Sequence, residues 1–265
     1  MREARTFITG VVAVALAAGV AAAEPKKPPA IDQQAIAALC RMGAFLMAQQ
    51  NFIVRTTTET DYVADNGQLL RRGARGELEA RRPNRLHAKV VSDRKEREFF
   101  YDGDTFTVFS PNLGYYSRID APPTIGALAD TLEARFGLAL PLVDLFRWGM
   151  PNPDFSDIEA ARYVGTATID GVLTDQYAFR QEGVDWQIWI ERGSRPLPRK
   201  LVLTTTDDPT RPEHEINMSW QLNTRTDDAR FSFVPPQGSS LIAVEELGTP
   251  SAPDARKSGE RSARR

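Results

Sequence analysis

The chain has 265 residues and a net charge of −2 at pH 7, and 42% of its residues are hydrophobic. This balanced charge excludes a protein that binds nucleic acid through an overall positive electrostatic field, so we expect no nucleic-acid partner. The single cysteine excludes an internal disulfide. Cys40 lies in the apolar stretch Ile36–Cys40, which predicts a small buried side chain and not a reactive thiol.

Residues 1–23 have the layout of a secretory signal peptide. Arg2 and Arg5 precede an apolar run that ends in Ala21-Ala22-Ala23, which supplies small residues for cleavage. This run is Ala-rich, only marginally long enough to span a bilayer and not followed at once by a stop-transfer cluster, so cleavage is favoured over a retained anchor. We expect a soluble periplasmic protein that begins near Glu24. Cleavage removes two arginines and one glutamate and leaves 31 basic and 34 acidic side chains, a net charge of −3.

The mature chain is predicted to be one domain with short flanking segments. Residues 24–30 form a Pro-rich linker, residues 31–244 form the domain, and residues 245–265 form a disordered tail without apolar periodicity. From Ala30 to Gln50, apolar residues recur in steps of three and four, which predicts an amphipathic helix with Asp32 near its start.

From Phe52 onwards, alternating apolar residues and frequent turn signals predict a meandering antiparallel sheet. One helical segment interrupts it between Pro123 and Trp148, with Leu128 and Leu132 on its apolar stripe and Gly137 as a stop signal. These patterns predict an α+β fold.

In each of two predicted strand regions, apolar side chains share one face of the sheet. A two-residue loop at Asp102-Gly103 would place Phe99 opposite Phe106, whereas a three-residue loop would shift the register by one residue. With the two-residue loop, one face carries Phe99, Tyr101, Phe106 and Val108. In the strand Asp185–Glu191, one face carries Trp186, Ile188 and Ile190, and the other carries Asp185, Gln187, Trp189 and Glu191.

Two interpretations of these apolar faces remain open. They could pack against the helices, as such faces do in most proteins. Alternatively, the sheet is too large for its helices to cover, and the surplus apolar surface lines a ligand cavity. The many strands and few helices favour the cavity. The candidate lining residues are Phe99, Tyr101, Phe106, Val108, Leu128, Leu132, Trp186, Ile188 and Ile190.

An enzyme is not predicted. The two histidines, His87 and His214, stand alone, and no cysteine or second histidine lies at a zinc-ligand spacing. Alternation places His87 on a solvated strand face with Arg85 and Lys89. The chain has no Gly-x-Ser-x-Gly elbow and no Gly-rich phosphate loop. We expect no catalytic residue, no metal and no cofactor.

A basic cluster carries a further open question. It comprises Arg71, Arg72, Arg75, Arg81, Arg82 and Arg85. Exposed charges of this kind can protect a sheet edge from pairing with another chain. The alternative is a docking surface for anionic lipid head groups or an acidic partner. Elsewhere in the chain, Arg180, Arg199 and Lys200 are predicted to pair with Asp185 and Glu191 across neighbouring strands.

Several strings of this chain together resemble one bacterial family, domain of unknown function 2092. These strings are Arg82-Pro83-Asn84-Arg85-Leu86, Phe100-Tyr101-Asp102-Gly103, Pro141-Leu142-Val143-Asp144-Leu145, Ala161-Arg162-Tyr163-Val164-Gly165, Ala178-Phe179-Arg180, Asp185–Glu191, Pro196–Lys200 and Phe231–Pro236. The resemblance runs from about Ile31 to about Ile242. One departure is Gln176, where the family usually has a histidine, which puts in doubt any role for an imidazole there.

This family is similar to periplasmic proteins with the LolA/LolB-like fold. The resemblance implies a strongly curved antiparallel sheet, an incomplete barrel, closed on one side by helices. It also implies a non-catalytic binding protein for a hydrophobic ligand in the cell envelope, either a lipid or an acylated lipoprotein. The alternative is an envelope sensor or structural protein that docks a protein partner and fills its cavity with its own side chains. We expect a monomer without a membrane span in the mature form.

Overall fold

A computed structural model describes residues 31–138, 142, 146 and 155–243. The predicted signal peptide, linker and tail lie outside the described residues. Two helices, α1 (Gln33–Ala48) and α2 (Ile125–Phe136), belong to the described part of the chain. Its strands are β1 (Asn51–Val63), β2 (Leu69–Arg81), β3 (Arg85–Ser92), β4 (Glu96–Tyr101), β5 (Thr105–Ser110), β6 (Tyr115–Asp120), β7 (Ala160–Ile169), β8 (Val172–Gln181), β9 (Val184–Glu191), β10 (Pro198–Thr205), β11 (Glu213–Leu222) and β12 (Ser240–Leu241).

All these strands belong to one curved sheet. Their order is β12-β6-β5-β4-β3-β2-β1-β11-β10-β9-β8-β7, so β12 and β7 are the two edges and the sheet does not close. Neighbouring strands are antiparallel, except that β12 runs parallel to β6. We call the face that packs against α1 and α2 the concave face. The open curved sheet with helices on one face confirms the fold class expected from the sequence.

Helix α1 begins where the sequence predicts. The Asp32 side chain accepts a hydrogen bond from the Gln34 backbone N–H at 2.8 Å and thereby caps the first turn. The helix then buries one apolar stripe against the sheet, made of Ala35, Ala38, Leu39, Met42 and Leu46. Cys40 is exposed, so the prediction of a buried thiol is wrong. Cys40 lies about 100° around the helix axis from Leu39, which places its side chain away from the apolar stripe.

Helix α2 occupies the first part of the segment predicted to be helical. Its N-cap is Thr124, whose hydroxyl accepts a hydrogen bond from the Ala127 N–H at 3.2 Å. Gly137 ends it in a left-handed conformation with φ of 62°, as predicted. Leu128 and Leu132 are both buried. The predicted second apolar turn after Gly137 lies mostly outside the described residues.

The hairpin between β4 and β5 has a wider loop than predicted. Phe99 lies opposite Val108, and Tyr101 lies opposite Phe106, so the predicted Phe99–Phe106 pairing is wrong by two residues. The Asp102 carboxylate accepts hydrogen bonds from the backbone N–H groups of Asp104 and Thr105, which stabilises the wider loop. A shift of two residues returns each side chain to the same face. The predicted sharing of one face is therefore confirmed.

The opposite, convex face is partly covered by residues 224–242, which we call the C-terminal strap. The strap contains a 3-10 turn at Asp228–Phe231 and ends in β12. The Phe231 side chain is fully buried, at 0% exposure. The Phe233 ring lies within 5.3 Å, centroid to centroid, of three rings of the sheet, those of Phe100, Phe109 and Tyr116. Aromatic packing therefore fastens the strap to β4, β5 and β6.

This packing predicts that the strap contributes to global stability. Phe231→Ala should lower the free energy of unfolding by about 3–5 kcal/mol, because it removes a fully buried ring. Val234→Ala is the matched control, since Val234 is 81% exposed and its truncation should change stability by less than about 0.5 kcal/mol. Urea denaturation of both variants measures the difference. Similar midpoints for the two variants would contradict a strap that packs on the sheet.

Candidate functional site

One cross-strand row of the concave face passes through seven neighbouring strands, from β7 to β2. Its members lie directly opposite one another, pair by pair, in the order Ala161, Phe179, Trp186, Leu203, His214, Thr60 and Arg72. We call this set the concave row. Because neighbouring strands lie about 4.8 Å apart, the row extends roughly 29 Å along the sheet. Its first four members are apolar, and its last three are polar.

The concave row marks the border of the hydrophobic core. One step closer to the helices, Tyr177, Ile188 and Leu201 are buried in the core. Within the row, Ala161 and Phe179 are also buried, whereas Trp186 and Leu203 are only half-buried. On β9 and β10, the hydrophobic core therefore covers the concave face only as far as this row.

Apolar side chains remain accessible on the concave face at and around this border. Tyr62 and Leu70 lie opposite each other at the ends of β1 and β2, and they are 48% and 41% exposed. Large apolar side chains that stay accessible together are typical of binding surfaces. We call the accessible apolar set the open concave strip; it comprises Val184, Trp186, Leu203, Ile216, Tyr62 and Leu70.

Trp186 is the aromatic centre of the strip on β9. Its ring is stacked on that of Phe179, with centroids 4.1 Å apart and planes inclined by 17°. The Trp186 Nε1–H donates a hydrogen bond to Gln181 Oε1 at 2.6 Å. The indole polar group is thus satisfied, and its half-buried apolar surface can contact a ligand at no cost in unpaired hydrogen bonds.

A cleft of about 700 Å³ lies at β7, β8 and β9, and it shares Ala161, Phe179 and Trp186 with the concave row. Its described lining residues are Ala160, Ala161, Arg162, Val164, Ala178, Phe179, Arg180, Asp185, Trp186 and Gln187. Six of them, Ala160, Arg162, Ala178, Arg180, Asp185 and Gln187, alternate with the members of the concave row and so face the convex side. These six residues place the cleft on the convex face, and its lining combines charged side chains with apolar ones.

The structure divides the nine predicted lining residues into two groups. In the first, Trp186 belongs to the open concave strip, while Ile188 and Ile190 share its face and belong to the buried core. The second group, at the other end of the sheet, comprises Phe99, Tyr101, Phe106, Val108, Leu128 and Leu132. The crevice that Phe106, Val108 and Leu132 help to line has a volume of about 10 Å³, room for roughly one water molecule. A direct contact of these nine residues with ligand stays a prediction.

Sequence reasoning missed Leu203, which lies directly opposite Trp186, and Ile216, which lies two strands away on β11. Leu203 comes two residues after Leu201 on β10, and Ile216 comes two residues after His214 on β11. Alternation therefore places both on the concave face. The signal was therefore present, but it could not be used without knowing which strands are neighbours.

Several charged and amide side chains of β8, β9 and β10 lie on the convex face. Arg180 contacts Asp185 through two hydrogen bonds, of 2.6 and 2.8 Å, and Arg199 pairs with Glu191, so both predicted ion pairs are confirmed. Lys200 pairs with Glu215 instead, at 2.8 Å. At the position of the family histidine, the Gln176 amide donates a hydrogen bond to the side chain of Gln187.

The basic cluster does not protect an edge, because β2 lies inside the sheet between β1 and β3. Its members also divide between the two faces. Arg71 faces the convex side and pairs with Asp61 at 3.0 Å, whereas Arg72 belongs to the concave row. The edge-protection interpretation is therefore wrong.

His87 is buried beneath the C-terminal strap, at 2% exposure, so the predicted solvated position is wrong. Its ring lies 4.8 Å from that of Phe100, and its Nε2 lies 3.7 Å from a Glu98 carboxylate oxygen. Burial lowers the pKa of His87 below its ordinary value, and the nearby charge of Arg230 lowers it further. The covering segment is more than 130 residues distant in the sequence, and alternation within β3 could not reveal it.

His214 and Thr60 form a hydrogen-bonded pair in the concave row. The Thr60 Oγ1 and the His214 Nδ1 are 2.7 Å apart. Burial lowers the pKa of His214, so the ring is neutral at pH 7. Within the described part of the chain, no three acidic, histidine or cysteine side chains are grouped as metal ligands would be.

Residues 35–245 of the sequence match one family model. That family is described as predicted periplasmic protein (DUF2092). The chain belongs to this family. The family description agrees with the expected compartment, and none of the helices in the described ranges could span a bilayer. The comparison with curated proteins gives no match.

Solved structures with a similar architecture have low sequence identity to this family member. An uncharacterized conserved protein from Thermus thermophilus is 9% identical, with a TM-score of 0.45 over 80% of this chain and 99% of that chain. The lipoprotein LppX of Mycobacterium tuberculosis is 15% identical, with a TM-score of 0.45 over 74% and 100%. A LolA superfamily protein from Nitrosomonas europaea is 12% identical, with a TM-score of 0.38 over 75% and 97%.

The surroundings of His87 predict a loss of stability in mild acid. Above its ordinary pKa of 6.5, the ring is neutral in both the folded and the unfolded chain. As the pH falls below this value, the unfolded chain takes up the proton first, and the free energy of unfolding decreases by at most about 1.4 kcal/mol per pH unit for each such histidine. Urea denaturation between pH 7.5 and 5 measures this slope.

His87→Gln should flatten this pH dependence, because the titrating ring is removed. His214→Gln should flatten it less, because that ring is only half-buried. A slope that is unchanged in His87→Gln would contradict the assignment of a buried, neutral imidazole under the strap.

Proposed function

We propose that this protein is a periplasmic, non-catalytic binding protein for a hydrophobic ligand, the acyl chain of a lipid or of an acylated lipoprotein. The observation that carries the proposal is the open concave strip, where the cover over the sheet ends and large apolar side chains stay accessible. The family's periplasmic description supports the compartment. Cleavage of the signal peptide near Ala23 stays a prediction.

The shape and composition of the strip suit an acyl chain. Trp186 and Leu203 lie directly opposite each other on β9 and β10, so they form one apolar path across the strands. Each methylene group that leaves water for such a surface contributes about 0.8 kcal/mol. This corresponds to roughly a fourfold gain in affinity per added methylene, until the chain covers the strip.

A second candidate function, docking of an envelope protein, is favoured by the cleft on the convex face. The cleft lies beside the open sheet edge β7, and charged side chains such as Arg162 and Arg180 line it. Val164, at an irregularity of this edge strand, is 44% exposed. A cleft that has both charged and apolar lining residues and lies beside a free edge suits a segment of a protein partner that adds to the sheet.

Part of this edge is already occupied by the chain itself. The Asp32 backbone N–H donates to the Ala161 carbonyl at 2.9 Å. The Asp32 carboxylate also accepts the Tyr163 N–H at 3.2 Å. A docked segment would therefore use the part of β7 beyond Tyr163.

The acyl-chain proposal predicts different effects for two tryptophans of the same strand. Trp186→Ala should weaken binding of a fluorescent fatty acid by about tenfold or more, because it removes apolar contact area worth about 1.5–3 kcal/mol. Trp189→Ala is the matched control, since this ring lies on the convex face near Lys200, and its effect should stay below about twofold. Fluorescence titration measures both, and native mass spectrometry of protein from the periplasm detects co-purified lipid.

Equal effects of the two substitutions would contradict a site on the concave face. A protein that binds no probe and carries no co-purified lipid would contradict the binding function itself. The protein-docking candidate would then remain.

A further inference from the structure

We propose that the polar end of the concave row, formed by His214, Thr60 and Arg72, binds the anionic head group of the ligand whose chain lies on the open concave strip. The ligand is thereby assigned to long-chain amphiphiles with an oxyanion head, either a carboxylate or a phosphate. This inference rests on the proposed function and names its ligand class.

The polar end and the apolar strip are parts of one continuous surface. Leu203 lies directly between Trp186 and His214 in the cross-strand register, so no polar side chain of the row separates them. From Trp186 to Arg72 the row crosses four strand spacings, which corresponds to roughly 19 Å along the sheet. A long amphiphile can cover this path, with its chain end over Trp186 and its head among His214, Thr60 and Arg72.

Arg72 supplies a positive charge that no described carboxylate neutralises. It is half-buried, and its guanidinium carbon lies 4.0 Å from the centre of the Tyr62 ring. No acidic side chain of the described residues forms an ion pair with Arg72, whereas the adjacent Arg71 is paired with Asp61 on the other face. Arg side chains bind carboxylates and phosphates through strong, often bidentate, hydrogen bonds. An anionic head group would therefore provide the missing partner.

His214 and Thr60 supply a hydrogen-bond donor in either arrangement of their shared proton. If the Thr60 hydroxyl donates to Nδ1, the neutral imidazole carries its proton on Nε2 and can donate it to a ligand. If Nδ1–H donates to Thr60 instead, the threonine hydroxyl proton is free to do so. Thr60 is exposed at this point of the sheet. The pair thus complements the charge of Arg72.

Acidic residues that are adjacent to Thr60 and His214 in the sequence point away from this site. Glu59, Asp61 and Glu213 alternate with the row members on β1 and β11, and so lie on the convex face. There Asp61 accepts hydrogen bonds from Arg71 and from the Glu213 backbone N–H. These three carboxylates therefore leave the concave side open to an anionic head.

The test compares ligands that share one chain and differ in the head group. Oleate and oleoyl lysophosphatidate carry an anionic head, whereas oleyl alcohol carries a neutral one, and inorganic phosphate and acetate represent heads without a chain. The wild-type protein should bind at least one of the two anionic amphiphiles about tenfold or more tightly than oleyl alcohol. Isothermal titration calorimetry on the mature protein measures all five.

Arg72→Gln should abolish this preference and leave the affinity for oleyl alcohol unchanged. Arg75→Gln is the matched control, because Arg75 is an exposed residue of the same strand on the convex face, and it should keep the preference. Thr60→Val provides a second variant that retains every charge and should reduce the preference by several-fold. Circular dichroism melting confirms that each variant is folded.

The outcomes separate this inference from the proposed function. If Arg72→Gln keeps the full preference while Trp186→Ala still loses binding, the head-group site is wrong and the acyl-chain function stands. If inorganic phosphate or acetate binds as tightly as the amphiphiles, the amphiphile assignment is overturned, since the chain contributes nothing. If the wild-type protein binds none of the chain-bearing ligands, both the function and the site fail.

Discussion

The structure depends on a mismatch between a wide sheet and the helices that cover it. Alternation along each strand places every second side chain on the concave face, and the hydrophobic effect favours covering them. Helices α1 and α2 pack into the core that buries Phe52, Leu78 and Leu86 on this face. The concave row marks where this coverage ends. Trp186 and Leu203 are left half-covered there, and the open concave strip is the direct consequence.

The two faces of the sheet are stabilised in different ways. The concave face is held by apolar burial, whereas the convex face carries ion pairs such as Arg180–Asp185 and Lys200–Glu215. Such exposed pairs each contribute at most about 1 kcal/mol and serve mainly to define the strand register. The C-terminal strap adds a second, smaller apolar cluster to this face through Phe231 and Phe233. The convex face therefore has stabilising contacts of its own besides the core on the concave side.

The elements of the fold were predictable where they depend on local pattern. The Asp32 cap, the Gly137 stop and the shared face of Trp186, Ile188 and Ile190 follow from spacing alone. The hairpin register was wrong because the hydrogen bonds of Asp102 widen the loop, although a shift by two residues preserved the faces. Cys40 was wrongly predicted to be buried because the whole apolar stretch was treated as buried. In the helix only one stripe of that stretch is buried.

The candidate site was less predictable because it depends on contacts between distant segments. Thr60 and His214 are 154 residues apart, and β1 joins β11 only in the folded sheet. No local pattern shows that Trp186, Leu203, His214 and Arg72 belong to one row. His87 was misplaced for the same reason, since a segment near the end of the domain covers it. The family resemblance suggested a hydrophobic ligand, and the register of the sheet suggests where that ligand would lie.

Position-dependent photocrosslinking tests the central claim, that one chain lies along the concave row, most directly. Two fatty acids would carry a diazirine either at the chain end or next to the carboxylate, and peptide mass spectrometry would locate the labelled residues. The account predicts that the chain-end probe labels β9 near Val184 and Trp186, and that the head-proximal probe labels β1 and β11 near Thr60 and His214. Labelling of the convex face, or of the same residues by both probes, would contradict it.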